Sequence, residues 1–463
     1  MNDNLEDNRP VSPRSSWLIA LAVVGSLLLL VVSFLLLRTT AGVGGVATGI
    51  VLSIAATLFF AQRAGHSWHR QLWTAARTMT IVLLVWSLVS SGRYVLHNNG
   101  DTTGQRMTSW GRNHGLGFVI DRLETAVYSQ PPAKQPAKDL GLALPAAAAT
   151  TTTETASSTP STTHSDSAAA ATSTTIPADQ PPAPLKTYFA PALAGEGQWL
   201  PAASAGGHVA MWATSLRPLQ QFGEVVASMV VIKQSYVRAA MFNGSELPGG
   251  QWTRGNKIPK ALYSSLTGVM NGGFRLSQSF GGYMTEGKVV QTLIDGRATL
   301  AIDHSGKIKI GEYGRDLTND GTWETLRQNL VLMVDGGQSG LERAKRDHIF
   351  WGAEYGGVMY DSRSAICTIG DGSLAYVMAD KVNAEQMAGL LINVGCVTAM
   401  QLDVNGDWPN FLLYEHGVDG KLTPHRLDKR MSGNPQRYVN GSTKEFFGFF
   451  DSALVPAGSV LDK

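Results

Sequence analysis

Cysteine is scarce: the 463 residues include two, Cys367 and Cys396. No Cys-x-x-Cys pair exists, so a structural zinc site of the finger or ribbon kind is not indicated. Two cysteines still permit one disulfide if the segment that carries them is exported. Closing that loop would contribute roughly 3–4 kcal/mol in the chain-entropy description. The alternative is two small buried side chains on separate strands. Net charge is nearly absent as well. The 38 Lys and Arg are balanced by 36 Asp and Glu, leaving +2. That removes the electrostatic footprint of a nucleic-acid partner, which shows as a basic patch or a raised isoelectric point. The chain also has no Gly-x-Ser-x-Gly, His-Glu-x-x-His, P-loop or paired His/Cys ligand set.

Long apolar runs are plentiful, and all lie at one end. Trp17 to Leu37 is uninterrupted, with the ~20 residues that cross a hydrocarbon core at ~1.5 Å per residue. No small-residue cleavage pattern follows it, which argues against a removed signal peptide. A second run, Gly42 to Gln62, is rich in the Gly and Ala that favour close helix packing in lipid. A third covers Arg77 to Val95. Arg63, Arg70 and Arg77 between the second and third runs mark a cytoplasmic loop, so the long C-terminal part is expected outside. The expected layout is a cytoplasmic tail over residues 1–16 and three transmembrane helices within 17–97. The lipid bilayer is then a partner of a multi-pass protein with an extracytoplasmic C-terminal domain.

Residues 98–130 form a juxtamembrane segment. Within Arg106 to Tyr128, Trp110, Leu116, Val119, Ile120, Leu123 and Val127 recur at helical spacing. This predicts one amphipathic helix, lying near the membrane, against a partner helix, or as a plain stalk. Residues 131–184 collapse to Ala, Thr, Ser and Pro, too poor in large apolar surface to offset the entropy of ordering, and are expected to be a disordered tether. A globular domain follows over 185–455, large enough for a full core, with a tail at 456–463.

The domain reads as α+β, a mixture of short strands, tight turns and a few helices. Ser228 to Val237 and Leu330 to Met333 are strand candidates. Thr299–Ile302 and Lys307–Ile310 flank a turn, as do Ser364–Ile369 and Leu374–Met378 around an Asp-Gly. Asn383 with Gln386 starts a helix by a capping box, and Gly395 suits its end. A strand from Val397 to Leu402 ends at Asp403.

The candidate chemistry consists of polar residues beside glycines at strand ends. Asn271 precedes Gly272 and Gly273; paired glycines let a backbone approach a ligand and present its N–H groups, and the Asn can donate to a sugar hydroxyl or phosphate oxygen. The same pattern serves as a capped turn. Asp335, in Val-Asp-Gly-Gly, is a site carboxylate or a turn residue. Arg363, followed by Ser364, has the planar fork that grips two phosphate oxygens, or it pairs with Asp361 on the surface. Asp403, Asn405 and Asp407 imitate the start of a calcium loop, but Trp408 and Tyr414 stand where Gly and Glu are needed. A carboxylate site, with or without a divalent cation, stays open there.

Taken in order, these segments resemble the phosphodiester glycosidase family. The resemblance is to N-acetylglucosamine-1-phosphodiester alpha-N-acetylglucosaminidase and its exopolysaccharide-related bacterial homologues, in a membrane-anchored actinobacterial-type branch. It rests on Asn271–Phe274, Gly281–Lys288, Val334–Gly337, Arg363–Asp380, the helix Ala384–Val394, and Ala399–Trp408. Two positions depart from the pattern. Val404-Asn405-Gly406-Asp407 replaces a glycine run with Ser or Thr, and Arg275 replaces an aromatic. The resemblance implies cleavage of a sugar–phosphodiester bond in a cell-envelope glycopolymer or, on the same fold, a non-catalytic module that binds such a polymer. It implies Asp403 as nucleophile or general base, with Asp335 assisting or holding a cation. Asn271, Gly272, Gly273, Tyr283, Arg363, Ser364 and Asn405 would contact substrate. No cofactor is required, and a divalent cation is compatible.

Overall fold

The structure is a computed structural model that describes residues 68–96, 101–145, 180–349, 351, 359–404, 406 and 408–462. The chain divides into two compact units, residues 1–97 and 98–463. In the first, α1 runs Trp68–Leu96, nine residues earlier at its start than the sequence suggests. Its part Ala76–Leu96, 21 residues of mean hydropathy 1.6, is the one segment among the described residues long and apolar enough to cross a bilayer. Leu84, Leu88 and Val89 stand exposed along it. The expected spans Trp17–Leu37 and Gly42–Gln62 lie outside the described residues. Of the expected three-helix membrane region, one candidate helix is present among the described residues.

The second unit begins with two helices where one was expected, α2 (Thr103–Asn113) and α3 (Gly117–Tyr128). The break falls at Gly115, whose φ of +82° no helix can contain. A capping box starts α2: the Thr102 side chain accepts from the Gln105 N–H, and the Gln105 side chain accepts from the Thr102 N–H.

Three antiparallel sheets build the domain. The 8-stranded sheet runs β1 (Leu200–Ala205), β2 (His208–Leu216), β3 (Ala227–Ile232), β14 (Leu374–Val382), β13 (Asp361–Ile369), β15 (Cys396–Val404), β11 (Val334–Asp335) and β12 (Gln338–Ser339). One 5-stranded sheet runs β7 (Lys288–Gln291), β6 (Tyr283–Thr285), β10 (Trp323–Gln328), β8 (Ala298–Asp303) and β9 (Ile308–Glu312). The other 5-stranded sheet runs β17 (Leu422–Arg426), β16 (Phe411–His416), β5 (Leu266–Asn271), β18 (Phe446–Asp451) and β4 (Val237–Phe242). The helices α4 (Leu341–Arg346), α5 (Ala384–Asn393) and α6 (Arg437–Asn440) are short. Helix and sheet are mixed, as expected, with sheet predominating.

The large sheet is buried on both faces, which explains its nearly continuous apolar strands. In β3, Val230 and Ile232 enter one core cluster with Met400, Leu402 and Phe447, while Met229 and Val231 enter the other with Leu390 and Leu391 of α5. The period-2 alternation of a strand separates the two sets.

Both expected hairpins form, β8–β9 and β13–β14, with Gly306 and Gly372 at positive φ in their turns. The capping box of Asn383 and Gln386 starts α5 as expected. Three expectations are corrected. Ser228–Val237 is two strands, β3 and β4, because Lys233 to Tyr236 turns the chain, closed by the Tyr236 N–H on the Lys233 carbonyl. Leu330–Met333 is buried but irregular, with Leu330 at φ +59° and its N–H donated to Ser279 instead of a strand partner. The start of the presumed tether, residues 131–145, is fixed to the domain. Ala143 N–H bonds the Leu427 carbonyl, Lys429 N–H bonds the Gly141 carbonyl, and Leu142 and Leu144 pack on the core. Residues 146–179 lie outside the described residues.

Cys367 of β13 and Cys396 of β15 are joined by a disulfide across neighbouring strands, and both are buried. The double variant Cys367→Ala/Cys396→Ala is expected to lose about 2–4 kcal/mol, read as a lower denaturant midpoint without reductant. An unchanged midpoint, or two alkylatable thiols in the native chain, would refute the crosslink.

Candidate active site

The strand ends place the expected polar residues close together, but give several of them supporting work. Asn271 closes β5 with its amide fully engaged. Its Nδ2 donates to the Gly272 carbonyl (2.9 Å) and Ser364 Oγ (3.1 Å); its Oδ1 accepts from the Tyr376 hydroxyl (3.0 Å) and the Asn410 N–H (2.9 Å). An amide has two donors and two acceptor lone pairs, so this one keeps nothing for a ligand. Ser364 in turn donates to the Asp403 carbonyl (2.9 Å), and the Asp403 N–H bonds the Gly272 carbonyl (3.0 Å). Asn271 and Ser364 thus fix where Asp403 stands.

The glycine pair lets the chain approach itself. A Cβ on Gly272 would lie 2.5 Å from Glu445 Oε1 and 2.6 Å from the Glu445 carbonyl oxygen. The Gly273 N–H donates to Glu445 Oε1 (3.0 Å) and is not presented to a ligand. Glu445 also pairs with Arg327 at 2.8 Å, each side chain 1% exposed. Tyr283 packs beside this pair, its hydroxyl donating to Asn243 Oδ1 (2.7 Å), with burial holding its pKa well above the ordinary value.

Arg363 and Asp335 are placed otherwise than expected. The Arg363 guanidinium is buried and donates to the Val382 carbonyl (2.9 Å), to Gln401 Oε1 (3.1 Å) and to the Trp351 carbonyl. Its fork is spent on the chain itself and not on a phosphate. Asp335 is gripped by Arg315 at 2.7 and 2.9 Å. Its neighbour Val334 pairs with Ala399. Asp403 lies four residues further along β15, about 13 Å at strand spacing. Asp335 therefore does not join Asp403. Asn405 lies outside the described residues.

What gathers near Asp403 is a set of cations, Lys444 and Arg437 from the far C-terminal part and Arg275 from the loop after β5. Asp403 Oδ1 accepts the Val404 N–H (3.0 Å), while Oδ2 is paired with the Lys444 amine. The Lys444 amine lies 4.6 Å, and the Arg437 guanidinium 4.8 Å, from the Trp408 ring centroid. Arg275 is close enough to act on Lys444 electrostatically. Burial holds the Lys444 pKa below its ordinary value, against the opposing pull of Asp403 and Glu445. Sequence reasoning missed Lys444, Arg437 and the role of Trp408. The one available signal was Lys444-Glu445, a charged pair directly before an apolar strand. Among the described residues no three His, Cys, Asp or Glu are arranged for a metal; at Asp403 the cationic partner is the Lys444 amine.

One face of α2 and its cap covers this cluster. Asp101, Gln105 and Ser109, spaced by four, are all buried. Asp101 accepts from Thr443 Oγ1 and lies 3.3 Å from Arg437 Nε. Gln105 Oε1 accepts from Arg437 Nη2, and Ser109 Oγ accepts from Arg275 Nη2 (3.0 Å). Burial raises the Asp101 pKa above its ordinary value, with Arg437 and Thr443 acting in the opposite sense. Chemically, the arrangement is one oriented carboxylate beside three cationic side chains, with a segment of the same chain seated on them.

Residues 264–404 match the phosphodiester glycosidase family. The matched stretch holds Asn271, Arg363 and Asp403 and ends before Trp408, Arg437 and Lys444. Among solved structures, the catalytic domain of zebrafish N-acetylglucosamine-1-phosphodiester alpha-N-acetylglucosaminidase, auto-inhibited by its pro-peptide, is similar with a TM-score of 0.36 and 15% identity, covering 53% of this chain and 86% of that one. A hypothetical protein from Synechocystis gives 0.35 and 12%, covering 54% and 64%. A putative exported protein from Burkholderia pseudomallei gives 0.24 and 13%, covering 49% and 74%. Among curated proteins none matches the chain.

Proposed function

Taking residues 264–404 as a phosphodiester glycosidase domain, we propose that the chain is a membrane-anchored, extracytoplasmic glycosidase that cleaves a sugar–phosphodiester bond in a cell-envelope glycopolymer. The observation that carries this is the pairing of Asp403 with Lys444 beside Arg437 and Arg275. A phosphodiester linkage at the anomeric carbon already has a stable leaving group, so little protonation is needed. The work left to the protein is to bind the phosphate oxygens and stabilise the charge that grows on them. The three cations suit that task. Asp403, held by the Val404 N–H, takes the proton of an attacking water or itself attacks the anomeric carbon. The electrons of the broken bond leave with the phosphate.

Export is supported by two features. Arg70 and Arg77 mark the first end of α1 as cytoplasmic, which directs the chain after Leu96 outward. The disulfide suits an oxidising compartment. The seated α2 face favours a second reading, a binding module on the same fold whose site is closed to turnover.

The test uses the full chain in nanodiscs, a sugar-1-phosphodiester substrate and measurement of free sugar. Release by the native chain supports catalysis. Binding without release, including in Asp101→Ala/Ser109→Ala, supports the module and refutes the enzyme. Each of those contacts to an arginine is worth roughly 1.5–3 kcal/mol, so the double variant is expected to release sugar about 10²-fold faster or more. The Asp101 pKa is raised when the segment is seated. Seating is therefore strongest at acid pH and weakens as pH rises through that value. Native activity is expected to climb over this range, and Asp101→Asn, which stays neutral, to remove the climb. A climb equally steep in Asp101→Asn would contradict the covering role.

A further inference from the structure

We infer that α3 is a bilayer-docking helix whose outer face lies in the headgroup–acyl boundary of the membrane; this rests on the reading of α1 as the membrane anchor. The inner side of α3 is used within its own unit. Ile120 Cδ1 sits 2.8 Å from where a Cβ on Gly111 of α2 would be, and Asp121 pairs with Arg112. The outer side is left apolar and open. Phe118 is 70% exposed, Val119 39% and Leu123 64%, spread over one broad outer arc, with Leu116, 44% exposed, at its edge where it borders Gly111. A single exposed leucine means little, but four large apolar side chains on three helical turns mark an interaction surface.

Chain length selects the occupant. Six residues, 97–102, separate the end of α1 from the start of α2, and fully extended they span at most about 20 Å. The helix pair is therefore tied to the membrane surface, where an interfacial helix buries its apolar face at headgroup depth. Arg122, exposed on the same outer side, suits lipid phosphates. Asp101, Gln105 and Ser109 hold the inward face of α2 on the cationic cluster. The apolar arc of α3 is thus the part left for lipid.

Both native cysteines are in the disulfide, so Phe118→Cys offers a single thiol for an environment-sensitive fluorophore. The labelled full chain is placed in nanodiscs of phosphatidylcholine with phosphatidylglycerol, with and without headgroup-nitroxide lipid. The expected result is blue-shifted emission quenched about twofold or more by the nitroxide lipid. A label at Val418→Cys, in the exposed loop between β16 and β17, should stay water-like. A label at Leu88→Cys in α1 reports the anchor separately. Leu88 lies near the middle of the span, below the headgroup nitroxide, and is read by its emission alone: Leu88 blue-shifted with Phe118 water-like overturns the docking inference and leaves the anchor intact. A water-like Leu88 overturns the anchor reading itself. A Phe118 label that is blue-shifted but unquenched, and shifts only at high protein-to-lipid ratio, overturns lipid in favour of a second copy of the chain.

Discussion

Sugar release from a sugar-1-phosphodiester is expected to fall by about 10³-fold or more when Asp403 becomes asparagine, the scale lost with an oriented acid–base or charge-stabilising group. The loss should appear in kcat and kcat/KM alike, because the carboxylate acts on the transition state and not on bound substrate. Asparagine keeps an acceptor for the Lys444 amine and the backbone of residue 403 stays held by Gly272 and Ser364, so the fold is expected to be kept. Lys444→Met tests the other half of the pair. It removes a cation beside the leaving phosphate, and the loss should concentrate where the native amine is protonated. Burial lowers the Lys444 pKa, so native activity is expected to decline on the alkaline side sooner than an ordinary lysine would dictate, and Lys444→Met to lack that decline. Undiminished release by Asp403→Asn, with circular dichroism unchanged, would remove Asp403 from the chemistry.

Glu445→Ala is expected to cost about 3–5 kcal/mol of stability, the range for breaking a buried ion pair at one partner. Arg327 and Glu445 are each 1% exposed, so the guanidinium left behind has no water to take over. The variant also strips the Gly273 N–H of its acceptor. Glu445→Gln keeps a hydrogen-bond acceptor of similar shape and should lose clearly less. Denaturant midpoints at constant slope check both. Equal losses in the two variants would mean that the charge, which both remove, holds this corner, and not the shape that Gln keeps. Gly272 belongs to the same corner, because an alanine there would collide with Glu445.

The features that were legible in the sequence are local ones. The β8–β9 and β13–β14 hairpins follow from alternating apolar residues around turn glycines, and α5 follows from a cap and a gap of three residues. The apolar stretch of α1 needs only its own length. Asn271, Ser364 and Asp403 could be singled out because polar residues beside glycines at strand ends are readable by position. Their division of labour was not, since the four hydrogen bonds of Asn271 go to Gly272, Ser364, Tyr376 and Asn410, three of them far away in the chain. For Arg363 the sequence leaves a phosphate fork or a surface pair with Asp361 open, because residue type and neighbours are the same for a guanidinium that faces a ligand and one that faces carbonyls. Only burial separates the two cases.

The sequence by itself determined the apolar helix, the family pattern and the candidacy of Asp403, because each is written in short runs of residues with their own periodicity or spacing. Only the tertiary structure decided that Lys444 pairs with that carboxylate with Arg437 and Arg275 near Lys444, that Asp335 does not join it, and that Asp101 of an N-terminal segment lies on Arg437. Those contacts join residues far apart in the chain, from Asp403–Lys444, 41 positions apart, to Arg275–Ser109, 166 apart, and Asp101 with Arg437 further still. Their energies come from burial and distance, which the order of residues along a chain does not contain.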